Sequence, residues 1–328
     1  MAFDLSIRDA LVVDGSGEAP RVVDVHVEGG RIARIGPGPA GAREIDGRGR
    51  ALAPGFVDVH AHDDAALLQT PDLHFKLLQG VTSVVIGNCG FSLAPLSVGG
   101  AEPPGNASLF PGFSARFADL ESYAQAFAAA NPAVNAASLL GHNAVRSQVM
   151  GEEERAPSTA ELAAMRAHLT RALEQGAVGF STGLIYRPGR CASTEELIEI
   201  ARPLADFGAL YTTHMRSEGD RLLESVEETL SIARAVGCRA QISHHKAGGK
   251  RNWGKVAESL ARIDAANASG ADVTLDAYPY IAGSGPMIEY FDLANIDLRL
   301  LGKLELVDSD DDVLAAIDPR LPARGGFL

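Results

Sequence analysis

From Gly55 onward the chain alternates short apolar runs with alanine-rich helical stretches, and this alternation limits the possible folds more than any other feature. The apolar runs end near His62, Cys89, His142, Tyr186, His214, His244 and Tyr278. Between them, residues 161–175, 194–207, 221–236 and 256–269 read as helices. Ser158 ahead of Glu161 and Ser193 ahead of Glu196 have the form of capping boxes, and Gly176, Gly208, Gly237 and Gly270 have the form of helix stops. Seven strand-then-helix units in series predict an α/β fold of the TIM-like (β/α)8 barrel kind. A doubly wound sheet is the alternative, but it calls for a glycine-rich phosphate loop after its first strand, and none follows His62.

Ahead of Gly55 the texture differs. Residues 5–7, 11–13, 22–27 and 31–35 are short β-like runs separated by Gly15-Ser16-Gly17, Gly29-Gly30 and Gly36-Pro37-Gly38-Pro39, a pattern that predicts a small antiparallel sheet. The expected division is therefore an amino-terminal β-domain over residues 1–53 and a barrel over 54–328. A formal charge of −13 argues against nucleic acid as a partner, since binding it needs clustered Lys and Arg, and gives no attraction to anionic membranes. No apolar leader opens the chain, and no run of 18 apolar residues occurs. Three cysteines, odd in number and far apart, fit a reducing cytoplasm better than a disulfide framework.

Chemistry concentrates at the expected strand ends, where barrels of this kind build their sites. In Ala53-Pro54-Gly55-Phe56-Val57-Asp58-Val59-His60-Ala61-His62, side chains two apart share one strand face, so His60 and His62 can reach one point. The second strand ends in Asn88-Cys89-Gly90, the fifth in Thr213-His214 and the sixth in Ser243-His244-His245-Lys246. His244 and His245 must face opposite sides, and His244 shares its face with Ile242 and Lys246. A buried cysteine alone is usually a small hydrophobe, and a core histidine is often merely hydrogen-bonded. Four histidines and a cysteine converging from four strand ends point instead to a metal site, with zinc the natural ion because it accepts both thiolate and imidazole.

The segments APGFVDVHAHDD, GVTSVVIGNCGFSLAPL, GAVGFSTGLIY, THMRSE, ISHHKAGGKRNWG and DAYPYIAGSG, in that order, resemble the N-acyl-D-amino-acid deacylases (D-aminoacylases) of the amidohydrolase superfamily. The resemblance runs from the first residues to about Tyr290. It differs from the dihydroorotase and hydantoinase pattern, in which a carboxylated lysine on the fourth strand bridges two metals, because Val178 to Tyr186 contains no lysine. It implies a small-molecule N-acyl-D-amino acid substrate, hydrolysed to a carboxylate and a free D-amino acid. It also implies that Cys89, His214 and His244 hold the tighter zinc, and that His60 and His62 serve a weaker second site sharing Cys89. Lys246, Tyr278 and Ser284 resemble the residues around the substrate carboxylate and scissile amide, and Tyr186 resembles a pocket-lining residue. By residue type alone, Tyr186 and Tyr278 also fit rim packing, Ser284 a turn, and Lys246 a solvated side chain. The resemblance also implies that members favouring acidic D-amino acids carry an arginine shortly after the Ser284 region; Pro286 to Phe291 holds none, which leans the expected substrate towards neutral or apolar side chains.

In this superfamily the general base is an aspartate after strand eight. The familiar strand-eight segment is not found, so the barrel is expected to be incomplete, truncated before or near that strand. Asp308, after Lys303 to Val307, is a weak substitute because it opens the acidic run 308–312. Two other readings stand beside the deacylase: a non-catalytic metal-binding remnant of the family, and a cyclic amidohydrolase. Unclosed barrel edges carry exposed backbone donors and acceptors, so self-association is expected.

Overall fold

The computed structural model describes residues 3–97, 100, 101, 103 and 105–281. Two compact units divide at Phe56, the first being Met1–Phe56 and the second Val57–Leu328.

In the first unit, β1 (Leu5–Val12), β2 (Arg21–Glu28), β3 (Arg31–Ile35) and β4 (Arg43–Asp46) lie in the order β3-β2-β1-β4, and β5 (Ala51–Leu52) pairs with β1. The sheet is mixed rather than antiparallel, since β4 and β5 both run parallel to β1. The two runs read at residues 5–7 and 11–13 are one strand with a register shift between Ile7 and Ala10. Asp9 sits in the shift at φ 52°, and its N–H donates to Asp24 Oδ1 at 3.0 Å. Such an extra residue interrupts the inside–outside alternation, which is why sequence periodicity splits the strand.

From the boundary onward the described residues form seven further strands: β6 (Phe56–Asp58), β7 (Val81–Ile86), β8 (Asn135–Gly141), β9 (Gly179–Gly183), β10 (Leu210–His214), β11 (Arg239–Ile242) and β12 (Val273–Leu275). They form one parallel sheet in chain order from β6 to β12, the order that right-handed strand–helix–strand units generate. The sheet curls into an incomplete barrel of the TIM kind. Its curl brings Asp276, just past β12, within 3.2 Å of His60, just past β6.

The longer helices are α1 (Leu120–Ala130), α2 (His142–Met150), α3 (Thr159–Glu174), α4 (Thr194–Ala201), α5 (Leu222–Val236) and α6 (Lys255–Ala268). Ser158 and Glu161 form a reciprocal capping box at the start of α3, and Ser193 Oγ accepts from the Glu196 N–H at the start of α4. The helix expected over 194–207 is broken in two, because Pro203 lacks the N–H that would continue it, and a short turn over Pro203–Phe207 follows α4. Phe180, Tyr211 and Ile242 of the sheet pack with Leu169, Leu197, Ile200, Val226 and Ile232 of the helices, and all eight are fully buried. Among the described residues, no helix is long and apolar enough to cross a membrane.

One ionic cluster is buried inside the helix layer. Arg146 on α2 is wholly inaccessible, and its Nε donates to Glu196 Oε1 at 3.0 Å while its two terminal nitrogens donate to the carbonyls of Glu153 and Arg155. Burial pushes the Glu196 carboxyl up, but His142 and Arg146 more than offset this, so it lies below its ordinary 4.5. A carboxylate with a depressed value stabilises the fold above its unfolded pKa and loses that contribution as pH falls through the folded one. Glu196→Gln should therefore cost about 2–4 kcal/mol at pH 7 by urea unfolding. The gap to wild type should narrow as the pH is taken below 4.5.

Candidate metal centre

The first site residues come from a strand that stops earlier than its alternation suggests. β6 ends at Asp58 because Asp58 Oδ1 accepts the His60 N–H at 3.1 Å and turns the chain out of the ladder. Lys76 Nζ holds the other oxygen of Asp58 at 2.6 Å, and the Ala61 N–H then rejoins the sheet at Val85 O, 3.0 Å away. His60 and His62 thus lie on an anchored turn, with ring centroids 5.5 Å apart.

Cys89 likewise lies beyond the end of β7, in a tight turn at φ 54°. A left-handed conformation at a non-glycine residue costs about 1–2 kcal/mol and persists only where the surroundings enforce it. Here Gly90 N–H donates to Ser181 Oγ at 3.0 Å, Ser181 Oγ donates to Gly87 O, and Asn143 N–H at the start of α2 donates to Gly90 O at 2.9 Å. Gly183 permits this approach, since a Cβ there would run into the Cys89 carbonyl. The turn is consequently clamped between the ends of β8 and β9, with the sulfur facing His60 and His244.

His214 is the last residue of β10, while His244 lies two residues past β11 at φ 37°. Cys89 Sγ is 3.2 Å from His60 Nε2 and 3.5 Å from His244 Nε2. The His214 and His244 rings are 4.3 Å apart. Two sets of donors result, His60–His62–Cys89 and Cys89–His214–His244, each with its atoms within 4.8 Å of one another and with the sulfur common to both. His245 turns the other way, to Ser259 Oγ at 2.9 Å on α6, and His142 is buried in the helix layer against Glu196.

Electrostatics favour a cation among these atoms. Burial alone would raise the Cys89 thiol, but the surrounding imidazoles outweigh it and hold the group well below its ordinary range. In return His60 is pushed up to about 10 and His244 to about 9, both against the opposing effect of burial, while burial lowers His214. The imidazoles thus favour negative charge on the sulfur, and a divalent cation would supply the positive charge to match it. His62 Nδ1 and His214 Nε2 are buried without a hydrogen-bond partner among the described residues, as ring nitrogens awaiting a metal would be. Sulfur and imidazole donors in this number fit zinc.

Two carboxylates that sequence reasoning passed over complete the centre. Glu218, four residues after His214, accepts from His244 Nδ1 at 2.6 Å and from Lys246 Nζ at 2.6 Å. Asp276, directly after β12, accepts from His60 Nδ1 at 3.2 Å, from Gln241 Nε2 at 2.7 Å and from the His244 N–H at 2.6 Å. A carboxylate only accepts, so each holds a proton on Nδ1 and leaves Nε2, the nitrogen beside Cys89, as the one available to a metal. Glu218 is held down to about 2 and Asp276 is also lowered, since their cationic partners overcome burial. The available signal was that both follow a strand end within a motif that carries the family resemblance, Glu218 in Thr213 to Glu218 beside His214 and Asp276 at the head of Asp276 to Tyr280.

Tyr186 borders the centre with its hydroxyl 3.3 Å from His214 Nδ1, and the Lys246 ammonium lies 5.5 Å from the centre of the Tyr278 ring. Ser284 and Asp308 lie outside the described residues.

A curled parallel sheet with histidines and a cysteine gathered at its carboxyl ends is the architecture of metal-dependent hydrolases, and the chain belongs to the amidohydrolase family, whose pattern matches residues 43–286. It is 46% identical over 291 residues to the N-acyl-D-glutamate deacylase of Alcaligenes xylosoxydans xylosoxydans, an alignment covering 87% of this chain and 59% of that protein. The crystal structure of the N-acyl-D-glutamate deacylase from Bordetella bronchiseptica, complexed with zinc and a phosphonate mimic of the tetrahedral intermediate, superposes with a TM-score of 0.82 at 43% identity. That match covers 85% of this chain and 59% of the other. A D-aminoacylase with a binuclear metal centre superposes at 0.83 with 46% identity, over 86% of this chain and 60% of its own. The chain thus spans about three fifths of the length of these relatives.

Removing Asp276 leaves one backbone N–H and two side-chain donors at the mouth without their acceptor. Asp276→Ala should lower the stability of chelator-treated protein by about 2–4 kcal/mol, read as a fall in the urea midpoint.

Proposed function

We propose that this protein hydrolyses the amide bond of N-acyl-D-amino acids at a zinc centre, releasing a carboxylate and a free D-amino acid. The observation that carries this reading is the convergence of His214 and His244 on the Cys89 sulfur, in a chain whose relatives are deacylases of this kind. Cys89, His214 and His244 would hold the tighter ion, and His60 and His62, sharing Cys89, a weaker one. Zinc held there supplies positive charge that polarises the amide carbonyl and makes water acidic enough to attack at neutral pH.

The chain's own residues would do the rest. Lys246, with its side chain partly exposed, offers a cation to the substrate carboxylate beside Tyr278, and the family resemblance adds Ser284 to that role. Tyr186 closes one wall and steadies His214 through its hydroxyl. Of the carboxylates at the mouth, Asp276 and Glu218 are already engaged with His60 and His244. Among the described residues, neither is therefore free to move a proton between water and the leaving amine, and no residue is assigned that task; Asp308 stays the weak substitute read from the sequence. A cyclic amidohydrolase is disfavoured because β9 carries no lysine to bridge two metals.

Three unpaired cysteines support a cytoplasmic setting. Exposed Val57 in β6 and Val59 just past it support self-association along that edge.

The test is to load the protein with zinc, measure its metal content and assay N-acetyl-D-methionine, N-acetyl-D-glutamate and N-acetyl-L-methionine. We expect turnover of the D-substrates only. Cys89→Ala should abolish zinc retention and lower kcat/KM by more than about 100-fold, because the shared sulfur serves both donor sets. His62→Ala should spare the tighter ion. Zinc held without turnover would assign the protein a metal-binding role instead, and no zinc uptake at all would overturn both.

A further inference from the structure

The geometry points to Glu218 as a positioning residue with two duties, fixing His244 for the metal and holding the Lys246 ammonium beside it, so that zinc retention and capture of a substrate carboxylate depend on one side chain. This inference rests on the zinc-dependent deacylase reading above.

Glu218 is only 2% exposed, and a carboxylate so deeply buried is stable only when each oxygen is compensated. Its two oxygens are divided: Oε1 takes the His244 Nδ1 proton at 2.6 Å, and Oε2 takes a Lys246 ammonium proton at 2.6 Å. Lys246 spends a second proton on the His244 carbonyl at 2.8 Å, which folds the lysine back over the histidine. The lysine side chain is still 29% exposed, so the remaining N–H can meet a ligand entering the mouth.

The close spacing makes Glu218 necessary as well as helpful. Lys246 Nζ lies 3.1 Å from His244 Nδ1. An ammonium only donates. Without the carboxylate between their demands, Lys246 would draw Nδ1 into the acceptor role and move the imidazole proton to Nε2. That is the nitrogen facing Cys89 Sγ, and once protonated it has no lone pair for a metal. Glu218 thus decides which tautomer His244 adopts, against a cation that favours the wrong one. The effect depends on Lys246, which a packing role for Glu218 would not.

The test compares zinc affinity, by competition with a chromophoric chelator, in the full chain and in Glu218→Ala, Lys246→Met and the double variant. Glu218→Ala should weaken zinc about 10–100-fold, the range for losing a carboxylate behind a metal-binding histidine. Lys246→Met should change it less than about threefold, and adding it to Glu218→Ala should restore most of the loss, a coupling of contacting residues. Glu218→Gln keeps an oxygen for His244 but turns an amide nitrogen to the ammonium. It should hold zinc better than the alanine variant, yet bind a phosphonate analogue of N-acetyl-D-methionine about tenfold more weakly by calorimetry. If Glu218→Ala does not fold, Glu218→Gln with and without Lys246→Met supplies the same comparison. Glu218 variants within twofold of wild type for both ligands, or a zinc loss that Lys246→Met does not relieve, would overturn the inference and leave the deacylase reading intact. A wild-type chain that takes up no zinc would remove that reading and this inference with it.

Discussion

A buried sulfur enclosed by three imidazoles that favour its thiolate is the constraint around which the rest of the mouth is arranged. Burial opposes a charge on Cys89, yet His60 and His244 stand within 3.5 Å and favour one. The arrangement needs positive charge at its centre, from protons or from a metal. Because the sulfur belongs to both donor sets, the two half-sites are not independent. What alters the position of Cys89 alters both.

Holding that sulfur in place uses backbone strain and close packing rather than bulk hydrophobicity. Cys89 and His244 both adopt left-handed backbone conformations that their side chains disfavour. Each is over-determined from outside. Ser181, Asn143 and Gly183 clamp the cysteine turn, and Asp276 receives the His244 N–H. Two acidic residues then aim the histidines, Asp276 behind His60 and Glu218 behind His244. The site is thus three layers deep: sulfur and imidazole nitrogen, carboxylates that set tautomers, and the sheet ends that position those carboxylates.

Much of the barrel was readable because parallel strands and their helices leave distinct periods in sequence. The capping serines and glycine stops located helices to within about two residues at the 158–176 and 221–237 segments. Errors fell where a local contact overrides periodicity. The strand expected to run to His62 stops at Asp58 because a side-chain oxygen captures a backbone N–H. The strand from Leu5 to Val12 was divided in two because one extra residue at Asp9 reverses the alternation. Proline at 203 split what composition suggested was a single helix.

Residue type and order determined that this chain forms a strand–helix series, that its chemistry gathers after the strands, and that a cysteine replaces the lysine expected of a bridged metal pair. Those conclusions depend on short-range patterning, which sequence records directly. Tertiary structure decided which histidine of the His244–His245 pair turns inward, since the strand ends at Ile242 and parity no longer applies beyond it. It also decided the roles of Glu218 and Asp276. Their significance lies in 2.6–3.2 Å contacts with side chains as far as 216 residues away, distances set only when the sheet curls and brings Asp276 to His60.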